Sequence, residues 1–82
     1  MQITPEMLEY SWQRFDALAT SLHITIGYQT DPIVSDPKRA CEKAVGLDEY
    51  SHIADPIERV EAVITTEYVP AYEKRAASEA AG

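Results

Sequence analysis

Proline recurs directly behind a helix-capping residue in this chain, at Thr4-Pro5, Asp31-Pro32, Asp36-Pro37 and Asp55-Pro56. A Thr or Asp side-chain oxygen accepts a bond from a free N–H of the first helical turn. The proline beside it loses nothing, because its missing N–H would have no partner there. Three of the four pairs read as helix starts, at Thr4, Asp36 and Asp55. In Asp55-Pro56-Ile57-Glu58 the glutamate is also placed to reach back as in a capping box.

Behind Thr4, the apolar residues Leu8, Trp12, Phe15, Ala19, Leu22 and Ile26 are separated by alternating steps of four and three. That spacing makes one stripe along a helix over about 5–26. The last third has a second reading, because Leu22, Ile24, Ile26 and Tyr28 also alternate with polar or small residues in a β-branched segment. A strand at about 22–28 would make the chain α+β. Its one candidate partner, residues 63–69, reads well as helix, and the helical reading is preferred.

Residues 27–36 form a connection, and a short helix follows over about 37–45. Gly46 stops it by suiting the left-handed position after a helix end. Lys38 and Arg39 oppose the dipole in its first turn. A long helix over about 56–77 carries Ile57, Val60, Ile64 and Tyr68 on one face, and Pro70 kinks or restarts it. The expected architecture is all-α, a single domain over 1–82 built as a small bundle of three to four helices.

An 82-residue chain has little core to cover so long a stripe. Pairing of two copies into a bundle is the expected remedy, with Leu8, Trp12, Phe15, Leu22 and Ile26 as the seam. The lone cysteine, Cys41, reads as a buried small side chain. One cysteine excludes an intrachain disulfide and suits a reducing compartment. The N-terminus shows no basic and apolar secretory pattern, and no run approaches a membrane span. A cytoplasmic location is the expectation, without membrane contact.

Acid outnumbers base by fourteen to seven, for a net charge of −7. The imbalance concentrates in residues 44–73, where Asp48, Glu49, Asp55, Glu58, Glu61, Glu67 and Glu73 face Arg59 alone. Such a stretch serves solubility as a solvated face. It also suits docking on a basic surface, with Tyr50, Tyr68 and Tyr72 interleaved to add contact area. The candidate contact residues are Asp48, Glu49, Tyr50, Asp55, Glu58, Glu61, Tyr68 and Tyr72. Tyr10 and Tyr28 hint at further protein contact. Direct nucleic-acid binding is disfavoured, since the basic residues form only short clusters. Lys38 and Arg39 are expected to meet Asp31, Asp36 or the carboxylates of a partner.

Chemistry finds little support. No Gly-rich phosphate loop and no nucleophile elbow occurs. A Cys41–His52 pair is conceivable, but nothing local would lower the thiol's pKa. Glu49 and His52 have the Glu-x-x-His spacing that di-iron carboxylate bundles use for metal. A paired chain could supply the second copy, with a glutamate from Glu6, Glu9, Glu58 or Glu61. The preferred reading of His52 is a partly buried or capping residue before Asp55, and that of His23 is a structural residue at the edge of the stripe. No catalytic residue, cofactor or metal site is expected. The function expected is that of a small acidic protein-binding module (adaptor, accessory subunit or inhibitor), with a dimeric carboxylate–histidine metal protein as the alternative.

Overall fold

The structure, a computed structural model, describes residues 1–24 and 34–81. Helix α1 spans Pro5–Ser21, α2 Asp36–Gly46, α3 Pro56–Val63 and α4 Val69–Ala81. A π-helical stretch, Ile64–Tyr68, joins α3 to α4, so the described residues form three helical rods. No strand occurs among the described residues. No helix among them is long and apolar enough to cross a membrane.

Two of the caps form as the sequence dictates. Thr4 Oγ1 accepts from the Met7 N–H at 3.2 Å, and Asp55 Oδ1 accepts from the N–H groups of Ile57 at 2.8 Å and Glu58 at 3.4 Å. The third differs. Ser35 stands at the cap position of α2, and Asp36 lies inside the first turn with its carboxylate buried.

The first helix ends five residues before its expected limit. His23 adopts φ 57°, in the left-handed region. Its N–H donates to the Thr20 carbonyl at 3.2 Å, and the Ile24 N–H donates to the Ala19 carbonyl at 2.9 Å. This pair of reversed bonds closes a helix that normally relies on glycine at that position, and histidine is among the few side chains that tolerate it. Ile24 turns back into the core beside Leu18 and Ala19. Leu22–Ile24 thus form a helix terminus and no strand; Ile26 and the rest of the 22–28 alternative lie outside the described residues. Gly46, expected in the left-handed region, is instead the last residue of α2 and has no positive φ. The chain leaves through extended Leu47.

Pro70 interrupts its helix in a specific way. A proline ring crowds the carbonyl four residues earlier, here Thr66, and contributes no N–H. The preceding turn widens to accommodate this, and the Val69 N–H reaches back five residues to the Ile64 carbonyl. The rod continues to Ala81, beyond the expected end near 77.

Helix α2 packs against both α1 and α3, and α1 also packs against α3. Small residues on α2 permit this: Ala40, Cys41 and Ala44 are fully buried. Phe15 (1% exposed) sits at the centre, edge-on to Tyr68 at 5.1 Å and to Tyr72 at 5.5 Å. It is covered by its own chain and belongs to the core, not to a seam between copies. The buried face of α1 is Met7, Ser11, Phe15, Leu18 and Ala19, so the stripe is rotated from the expected one. Ser11 reads as polar but is fully buried, because its Oγ donates to the Pro37 carbonyl at 2.8 Å. Trp12, expected in the stripe, is 49% exposed, while Leu8 and Leu22 are half-buried.

Candidate functional site

The eight proposed contact residues divide into two groups, those engaged with other elements of the fold and those left exposed. Tyr50, Tyr68 and Tyr72 are buried. Aromatic rings on an apolar face gain more from packing than from water, and a buried phenol then needs a partner for its hydroxyl. Tyr72 OH donates to Asp36 Oδ2 at 2.6 Å, and Tyr50 OH donates to Glu67 Oε2 at 2.9 Å. Tyr68 lies under Lys43, whose Nζ is 5.1 Å from the ring centre. None of the three is available as contact area.

Glu61 is likewise engaged within the chain. Its Oε1 accepts from Tyr10 OH at 2.6 Å and Arg14 Nε at 2.9 Å, and its Oε2 accepts from Thr65 Oγ1 at 2.8 Å. Burial pushes the carboxyl up, but the bonds from Tyr10, Arg14 and Thr65 together with the Arg14 charge outweigh it and hold the group below the usual carboxylate range. Tyr10, half-buried, is thereby an α1–α3 tie. Glu67 is held low first by its bond from Lys43 Nζ, at 2.8 Å, against a smaller opposing effect of burial, with Tyr50 assisting.

Asp48, Glu49, Asp55 and Glu58 remain, all exposed. Asp48, Glu49 and Asp55 lie on the connection between α2 and α3, which holds one 3-10 turn over Asp48–Tyr50, and Glu58 follows in the first turn of α3. Among the described residues, no cation stands within ion-pair distance of any of the four. The Glu58 side chain does not close a capping box; its backbone N–H serves Asp55 instead.

Arg59, the one base of the acidic stretch, fixes this connection. Its guanidinium donates to the carbonyls of Ile53, Ser51 (2.9 Å) and Ala44 (3.5 Å). Further bonds run from the Ile53 N–H to the Tyr50 carbonyl at 3.1 Å and from Ser51 Oγ to the Asp48 carbonyl at 2.6 Å. Three unneutralised carboxylates are therefore mounted on an ordered loop and a fourth on the helix turn that follows it, beside Leu47, itself 38% exposed. Sequence reasoning missed Arg59 and Leu47. The isolation of Arg59 among seven acids was the available signal.

Glu49 sits in the 3-10 turn and His52 in the turn after it, so the α-helical register that would align them for a metal is missing. Both are exposed, which also corrects the expectation of a partly buried or capping His52. Among the described residues no group of three or more His, Cys, Asp or Glu could hold a metal ion. Cys41 is fully buried, and burial pushes its thiol up, away from the exposed His52.

No family model, curated protein or solved structure matches the chain.

Proposed function

We propose that this chain is a small protein-binding module that docks on a basic surface of a partner protein through the loop from Leu47 to Asp55 and the first turn of α3 with Glu58. The observation that carries the reading is the Arg59 anchorage of the Ser51 and Ile53 carbonyls, between the exposed pairs Asp48–Glu49 and Asp55–Glu58. Carboxylates held on an ordered loop lose little freedom on association, which lowers the cost of binding. Unneutralised and exposed, they also steer approach to a Lys/Arg-rich surface. Leu47 supplies an apolar contact within the charged rim. The role fits an adaptor, accessory subunit or inhibitor in the cytoplasm.

The test is affinity capture from the native host with three forms of the protein. One is unaltered, one carries Asp48→Lys, Glu49→Lys and Glu58→Lys, and one carries Glu6→Lys, Glu73→Lys and Glu79→Lys. The two variants have the same net charge. A partner retained by the unaltered and control forms, lost from the loop variant and released by salt supports the reading. Equal retention by all three forms, or equal loss from both variants, contradicts it.

A further inference from the structure

Helices α1 and α2 enclose a second surface feature, an open groove of about 590 Å³ lined by Leu8, Trp12, Val34, Lys38, Arg39 and Glu42. Its floor is apolar, and Trp12, the chain's sole tryptophan, is half in solvent. Large aromatic residues exposed beside an apolar groove are the usual anchors of protein contacts. The two rims differ in net charge, acidic on α1 and, with Lys38 and Arg39 against the exposed Glu42, basic by one unit on α2. On α1, Glu9 and Asp16 stand three before and four after Trp12, hence on its face of the helix, and both are exposed. On α2, Lys38 and Arg39 are exposed in the first turn.

We infer that this groove is the site at which two copies of the chain pair, each placing Trp12 in the other's groove. A two-fold contact brings the same patch of both copies together, so residue i of one meets residue j of the other and the reverse. Laid groove to groove in this way, the acidic α1 rim of each copy meets the basic α2 rim of its partner, and both charge pairs form twice. A patch of one charge could not pair with itself. This patch is self-complementary, in a chain whose net charge of −7 opposes contact between copies elsewhere. The pairing involves no residue of the acidic loop, so it stands or falls separately from the docking reading. It also moves the expected seam: of Leu8, Trp12, Phe15 and Leu22, only Leu8 and Trp12 line the groove.

The test combines light scattering with Trp12 fluorescence from micromolar to submillimolar concentration. The unaltered protein is expected to double in mass, with Trp12 emission shifting to shorter wavelength as it does. Lys38→Glu with Arg39→Glu makes both rims acidic, and Glu9→Lys with Asp16→Lys makes both net basic, Glu42 being unchanged in each. Each double variant alone is expected to dissociate at least about tenfold more readily. An equimolar mixture of the two restores the pair, because each acidic rim then faces a basic one. All four side chains are exposed, and circular dichroism verifies that the variants fold. A monomer at every concentration, a dimer whose Trp12 emission does not move, or a mixture that stays monomeric overturns the inference.

Discussion

Tyr72 OH donates to Asp36 Oδ2 at 2.6 Å, joining α4 to the first turn of α2 across 36 positions of sequence, with both residues buried. The bond explains why an acid occupies a buried helix start. A carboxyl group there sits near the positive end of the helix dipole, and the phenol satisfies one of its oxygens. Tyr72→Phe leaves that carboxyl group short of a donor and is expected to cost about 1–3 kcal/mol. Combined with Asp36→Asn in a double-mutant cycle, the two losses should fall short of additivity by about 1 kcal/mol. Urea unfolding of the four proteins measures this; additive losses would remove the bond from the account.

Tyr50 offers a spectroscopic signature. Burial first, then the bond to Glu67, raises its phenol from 10.0 to about 12. The folded value lies above the unfolded one, so the contribution to stability is full below pH 10 and is lost as pH rises toward 12. Ultraviolet titration should show a tyrosine ionising near the upper limit. Glu67→Gln should bring it part of the way down, since burial remains. A Tyr50→Phe variant that still shows the late step would reassign it.

Arg59→Ala separates order from charge. The substitution makes the chain one unit more negative, which by electrostatics alone strengthens docking on a basic surface. It also removes the bonds to the Ile53, Ser51 and Ala44 carbonyls that hold the acidic loop. Faster amide exchange over residues 51–54 and weaker partner capture are expected together. Stronger capture would show that charge count, and not the ordered loop, governs binding.

His23 closes α1 at φ 57°, where glycine is preferred. The left-handed backbone costs a side-chain-bearing residue about 1–2 kcal/mol, and glycine returns part of the relief as unfolded-state entropy. His23→Gly is therefore expected to stabilise by about 0.5–1 kcal/mol, and His23→Val to destabilise. Thermal unfolding of both variants checks the sign.

Helix starts were legible because capping is local: Thr4 and Asp55 bond N–H groups two or three residues away. The end of α1 was not, because nothing beside His23 marks it for a left-handed backbone. The face of α1 was misjudged by one position. Trp12 is more apolar than Ser11 by composition, but Ser11 finds a buried acceptor in Pro37 and Trp12 meets the groove. The tyrosines were misread for a related reason. Their partners lie 51, 17 and 36 positions away, for Tyr10, Tyr50 and Tyr72, and no local pattern announces such pairs. Acidity in residues 44–73 was legible as composition. Its division into internal carboxylates at Glu61 and Glu67 and exposed ones on the loop required the fold.

Photo-crosslinking from position 52 tests the docking surface most directly. His52 is exposed amid the loop acids and can be replaced by benzoylphenylalanine; Thr20, exposed on α1, serves as the reference position. A salt-sensitive adduct with a protein bearing a Lys/Arg-rich surface is expected from position 52 and none from position 20. Adducts absent from position 52, or equally abundant from both positions, would contradict it.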